Sequence, residues 1–195
     1  MMLLLMGYGS VSAQTDNRSA QQQIEHYLNS ITTLKARFTQ TAYDGSEAQG
    51  TFFLNRPGRL RFEYDAPIKD FIVADGVFIY YYDAELKQQS NTTIGNSLAG
   101  FLLRKTISLS DDIAVQAIGH TGQLLTATLA MRDDPGAGSL TLGFSENPLK
   151  LEKWRVTDSQ GLITEVALDD VETGLKLPRK LFYYLDPEHG KPQYN

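Results

Sequence analysis

Few residues in this chain are arranged for chemistry. Its three histidines, His26, His120 and His189, fall on a predicted helix, a strand end and the C-terminal tail. No two share the spacing of metal ligands, so no metal is expected. With no cysteine in the chain, disulfides and thiolate metal sites are excluded. The carboxylate pairs Asp111-Asp112, Asp133-Asp134 and Asp169-Asp170 lie at predicted turns, where aspartate is favoured by its side-chain bonds to the backbone. Gly95-Asn96-Ser97-Leu98-Ala99 approaches a nucleophile elbow and would make Ser97 the nucleophile of an esterase. That motif needs a buried strand before it and a helix after it, and "QQSNTT" upstream is a poor core strand. The plainer reading is a helix N-terminus capped by Asn96 or Ser97. There is no glycine-rich phosphate loop, and neither an enzyme nor a cofactor is expected.

The polar group that stands apart is Arg56. In "FLNRPGRLRFEYD", residues 53–65, Arg59 and Arg61 alternate with Leu60, Phe62 and Tyr64, as on a strand with one wet face. Arg56 precedes Pro57-Gly58, which must break the strand. Three readings follow: an arginine solvating a turn, an anion site shared with Arg59 and Arg61, or a donor that holds something closed.

The elements around it read as one domain. The 195 residues are 42% hydrophobic and 21% charged, ordinary globular usage, and the net charge of −5 argues against a nucleic-acid partner. "MMLLLMGYGSVSAQ" is a short apolar run ending in Val11-Ser12-Ala13. It reads as a shortened signal peptide over 1–13, leaving an exported domain over 14–195; a bilayer span would need about 20 apolar residues. A helix is predicted over 18–32, with Ile24, Tyr27, Leu28 and Ile31 docking on a sheet while Gln21, Gln22, Glu25 and Asn29 face away. From Leu34 the period changes to two. "LKARFTQTAY", "GTFFLN", "GRLRFEYD", "DFIVAD", "VFIYYYD" and "ELKQQSN" form one series. "DIAVQAIGH", "GQLLTATLAM", "GSLTLGFSE", "LKLEKWRVTD", "LITEVALDDV" and "RKLFYYLD" form a second. Strand-sized runs joined by short turns predict an antiparallel meander. "VFIYYYD" and "LLTATLAM" are apolar on both faces, which predicts a curled sheet around an apolar space. "TIGNSLAGFLLRK", residues 93–105, reads as a helix apolar nearly all round, with hinges at Gly95 and Gly100, plugging the mouth of that sheet.

Four segments in order, "ARFTQTAYDG", "GTFFLNRPGRLRFEYDAP", "IVADGVFIYYYD" and "NSLAGFLLR", resemble the periplasmic outer-membrane lipoprotein carrier protein family, LolA, over roughly residues 24–185. The resemblance implies a mainly β protein with a few helices: a half-open antiparallel β-barrel whose concave face carries a helical lid. It implies a monomeric, non-enzymatic periplasmic chaperone with an apolar hollow for the acyl chains of lipoproteins. Its donor would be the inner-membrane lipoprotein-releasing ABC transporter, and its receiver an outer-membrane acceptor. By the same resemblance Arg56, followed by Pro57, reaches lid backbone carbonyls in the closed, empty form and loses those bonds as cargo arrives. Leu98, Phe101 and Leu102 are expected to line the hollow from the lid, with Phe38, Phe53, Phe62, Tyr64 and Phe78 as wall candidates. After the last predicted strand "LDPEHGKPQYN" is shorter than the extra loop and strand of some carriers. Two other readings keep the fold: a binder of a free lipid, sterol or glycolipid, and a lipoprotein-sensing regulatory domain. The esterase using Ser97 comes last.

Overall fold

The structure, a computed structural model, describes residues 10–96, 98–188 and 190, with side chains described for 17–95, 100–188 and 190. One helix, α1 (Ser10–Ser30), leads into eleven strands. These are β1 (Thr33–Thr41), β2 (Glu47–Asn55), β3 (Arg59–Tyr64), β4 (Phe71–Asp75), β5 (Phe78–Asp83), β6 (Gln88–Thr93), β7 (Ile113–Thr121), β8 (Leu124–Met131), β9 (Gly138–Ser145), β10 (Lys150–Asp158) and β11 (Ile163–Thr173). Neighbours in sequence pair antiparallel, as short turns demand, except β6 and β7, and β1 also pairs with β11. The resulting order is β6-β5-β4-β3-β2-β1-β11-β10-β9-β8-β7. The sheet is curled and not closed: its free edges are β6 and β7, and the chain between them, residues 94–112, is the long connection that interrupts the meander.

Curvature has a local source. The ladders shift register between Lys35 and Arg37, between Leu151 and Lys153, and between Val115 and Ala117, and an extra residue on one strand bends and twists it. On β10 the shift brings Leu151 and Trp154 to the same face although three positions separate them; both are buried. The concave face carries Phe38, Phe52, Leu54, Leu60 and Phe62 from β1 to β3 and Leu129, Leu142 and Phe144 from β8 and β9, and Ile24 and Leu28 of α1 with Ile31 just after it complete one core with them.

The twelfth expected strand, "RKLFYYLD", is absent as a strand. Arg179–Phe182 form a 3-10 turn instead, and beyond it only Leu185 forms an isolated bridge. Its aromatics serve the outer face: Tyr184 stacks on Tyr80 at 4.6 Å between centroids, and Phe71 stacks on Tyr82 at 5.3 Å. The double-sided apolar pattern of β5 therefore reflects a C-terminal strap over a second cluster, not only a hollow.

Candidate functional site

The turn between β2 and β3 is built from Arg56, an exposed Pro57 and Gly58. Gly58 has φ +81°, and a Cβ there would lie 2.9 Å from the Cα of Gly76, so only glycine fits. Arg56 is 8% exposed, the one buried charged residue in the described core. Its Nε donates to the Ile31 carbonyl at 2.8 Å, its Nη2 donates to the carbonyls of Leu28 and Ile31, and its Nη1 reaches the Arg104 carbonyl at 3.5 Å. The backbone of the same turn adds two bonds, Arg56 N–H to Thr32 O and Gly58 N–H to Leu103 O, both 2.8 Å. One turn thus holds both the C-terminal end of α1 and the connection 94–112.

The acceptors fit the donor. The last carbonyls of a helix have no intrahelical partner and carry the negative end of its dipole. Among the described residues no carboxylate pairs with Arg56. Burial draws its pKa below the ordinary guanidinium value, yet an arginine keeps its charge. The anion-site reading gains nothing here, since Arg61 instead bonds Glu63 at 2.6 Å on the outer face and sits 5.1 Å over the Phe71 ring.

The connection differs from the helix expected over 93–105. It begins with a 3-10 turn, Ile94–Asn96, continues as α2 (Leu98–Phe101), and is irregular beyond. A Cβ at Gly100 would lie 1.9 Å from the Ile94 carbonyl oxygen, so Gly100 permits a close backbone approach and is no hinge. Phe101, Leu103, Ile107 and Leu109 are then turned into the core.

α1 corrects a second expectation. Gln21, Glu25 and Asn29 do not simply face water; at spacings of four they form one stripe that holds the connection. Asn29 donates to the Ile107 carbonyl at 2.8 Å and accepts the Ile107 N–H at 2.9 Å, satisfying one residue twice, as a neighbouring strand would. Glu25 accepts the Leu109 N–H at 2.5 Å, and Gln21 donates to the Leu109 carbonyl at 3.3 Å. Beyond this stripe, Arg104 and Asp112 form a bidentate pair at 2.6 and 2.5 Å, and that pair holds the Asp112 carboxyl below the ordinary aspartate range.

Inside, Phe38 meets Phe62 and Tyr64 edge to face at 5.1 and 5.3 Å. Burial is the main reason the Tyr64 hydroxyl is pushed up to about 12. Phe101 is buried in the same core, and Leu102 packs against it half-buried. Phe53 and Phe78 lie elsewhere. Phe53 is on the outer face, in register with Lys35 and Arg61, and Phe78 belongs with the Tyr80–Tyr184 cluster. Phe52, 4.6 Å from Phe62 and 5.4 Å from Trp154, occupies the inner place expected of Phe53. The Leu98 side chain, Ser97, His189 and residues 1–9 of the expected signal peptide lie outside the described residues; Ser10 to Ala13 belong to α1. A small cavity beside the lid, lined by Leu28, Ile31, Phe52, Arg56, Leu102 and Trp154 among others, is about 20 Å³, room for about one water, and Phe38, Phe52, Phe62 and Phe101 pack in the core around it.

An aromatic curled sheet covered by a helix and by the looped connection between its two free edges, both held by one buried cation, defines a class: lidded half-barrels with an apolar interior. The sequence model of the outer membrane lipoprotein carrier protein LolA matches residues 29–184. Similar relatives are outer-membrane lipoprotein carrier proteins of Methylococcus capsulatus, 28% identical over 95% of this chain and 90% of the relative, and of Legionella pneumophila, 31% identical over 96% and 94%. An uncharacterized conserved protein from Thermus thermophilus shares the fold at a TM-score of 0.52, with 12% identity over 89% of this chain and 97% of that one. The chain belongs to the LolA family.

Proposed function

We propose that this chain is a periplasmic chaperone that takes the acyl chains of lipoproteins behind Arg56 and carries them from the inner to the outer membrane, as a monomer and without covalent chemistry. The observation that carries this reading is the closure itself. A buried guanidinium binds two lid elements through neutral carbonyls alone, over an interior of aromatic and aliphatic side chains. The names of the relatives support the cargo class. Family membership supports an inner-membrane ABC transporter as donor and an outer-membrane protein as acceptor. No helix among the described residues is long and apolar enough to cross a membrane. The segment over 1–13 is proposed as the export signal.

The magnitudes are compatible with carriage. Burying one sixteen-carbon chain contributes on the order of 10 kcal/mol at about 0.8 kcal/mol per methylene. A charge-assisted hydrogen bond contributes about 1.5–3 kcal/mol. Acyl burial therefore overcomes the closure, and release needs an acceptor hollow that competes for the chains. The test is native mass spectrometry of the protein purified from its own periplasm. A bound acylated peptide or intact lipoprotein is expected; a free lipid or sterol as the sole ligand would replace this reading with that of a lipid-binding relative.

A further inference from the structure

We propose that a second cavity, outside the closed interior, seats the polar head and first residues of an acylated N-terminus and favours a cationic segment there. The inference rests on the carrier reading and adds where the cargo's head sits and which charge it prefers. The cavity is a groove of about 540 Å³ between the C-terminal end of α1, the start of β10 and the bulged end of β11, a size usual for ligand sites.

Its inner wall is shared with the interior. Ile31 and Leu151 line both this groove and the 20 Å³ cavity under the lid, so these two side chains are the partition between them. The carbonyl of Ile31 is also the one that Arg56 holds with both Nε and Nη2. Release of Arg56 therefore frees the residue that forms the partition. Beside it the Tyr27 hydroxyl accepts the Leu151 N–H at 2.8 Å, and the Tyr27 ring packs edge-on against Phe144 at 5.8 Å. Tyr27 braces the β10 side of the partition while Arg56 braces the α1 side.

The outer wall is polar and charged. A ladder shift opposite Lys35 and Arg37 leaves Asp170 at φ +51° and brings Leu168 and Val171, three positions apart, to the same groove. Glu152, Asp169 and Asp170 line it with Lys150 as the one cation of the lining, while Arg37, paired with Asp65, lies within electrostatic reach of Asp170. Among the described residues neither Asp169 nor Asp170 is in an ion pair. An apolar, removable inner wall and an acidic outer wall fit an amphiphile whose tails pass inward while its uncharged ester and amide head stays in the groove. The peptide that follows the head then meets the carboxylates, and lysine or arginine complements them.

The test uses synthetic N-palmitoyl, S-diacylglyceryl cysteine peptides followed by four lysines or four glutamates. Trp154, the only tryptophan, lines the interior cavity, so its fluorescence reports arrival of a chain independently of the groove. The lysine peptide is expected to bind the unaltered protein more tightly. In the Asp169→Asn, Asp170→Asn variant the ratio of the two affinities should fall by roughly threefold to tenfold, a range set by exposed charge pairs, and rising salt should erode the ratio in the unaltered protein. Asparagine tolerates the positive φ at 170, so the variant keeps its backbone. Equal affinity for both peptides, or a ratio unchanged in the variant, overturns the groove while the Trp154 response persists. No Trp154 response to either peptide would instead overturn the carrier reading, and the groove with it.

Discussion

Replacing Arg56 by leucine tests the closure with little change in the volume of apolar side chain around it. Leucine suits the surroundings of Leu28, Leu34 and Phe52 but offers no donor. The carbonyls of Leu28, Ile31 and Arg104 lose their side-chain partner, and in the open lid water would satisfy them. Each charge-assisted bond contributes about 1.5–3 kcal/mol. Against that loss, leucine removes the cost of burying a guanidinium, a term large enough that apolar replacement of buried charge is often neutral. A net bias of about 2 kcal/mol toward the open lid follows, or about 30-fold at 1.4 kcal/mol per tenfold. Amide hydrogen exchange reads this directly. The amides of Gly58, Ile107 and Leu109, all bonded across the lid, should exchange about 30-fold faster in Arg56→Leu, with those of β8 and β9 unchanged. The same bias favours the loaded carrier over the empty closed one, so Arg56→Leu should take up cargo and deliver it poorly. Lid amides within threefold of the unaltered protein, or delivery at its full rate, would refute the reasoning.

Three further outcomes are expected. Asn29→Ala removes the reciprocal bond with Ile107 and should speed exchange at that amide by about tenfold, as for one or two bonds of ~1 kcal/mol each; an unchanged rate would mean the stripe on α1 holds nothing. Phe52→Ala should lower unfolding stability in urea by about 3–5 kcal/mol and the half-exposed Phe53→Ala by clearly less, so equal losses would reverse the assignment of faces. Arg104 lowers the Asp112 pKa below the ordinary 3.8, so the pair stabilises the fold above that value and its contribution is lost as pH falls through the lower folded value. Part of the stability loss below about pH 4 should accordingly vanish in Asp112→Asn.

The strands were legible because alternation and turn residues repeat from Leu34 to Val171, and eleven of the twelve expected runs are strands. The twelfth shows what alternation leaves out: "RKLFYYLD" has strand chemistry, yet it stacks Tyr184 on Tyr80 at the outer face instead of extending the ladder. Phe52 and Phe53 show a second limit. Adjacent aromatics point to opposite faces, and the face is settled by neighbours in register. Gly50 pairs opposite Phe38, and a Cβ there would lie 2.6 Å from the Phe38 ring, so Gly50, Phe52 and Leu54 share the inner side. A polar stripe on α1 looks wet by composition, yet Gln21, Glu25 and Asn29 have the donors and acceptors to serve an irregular backbone. Arg56 was visible as the charge that broke a strand pattern; its acceptors, main-chain carbonyls distant in sequence, leave no trace in side-chain chemistry.

The choice of neutral acceptors decides what kind of closure this is. A carboxylate partner for Arg56 would form a buried ion pair, and opening it would leave two charges to be hydrated. Carbonyls at a helix end are neutral, so opening leaves only the guanidinium charge. When they part from the guanidinium both sides hydrate, and the dipole that favoured the contact is screened by water. The closure can then be a few kcal/mol deep, enough to keep the empty interior shut and small beside the ~10 kcal/mol gained by one buried acyl chain. The hydrogen bonds from α1 to Ile107 and Leu109 let this one cation act on the whole lid. Moving α1 away from Arg56 moves the connection with it, and the same displacement carries Ile31 out of the wall between groove and interior.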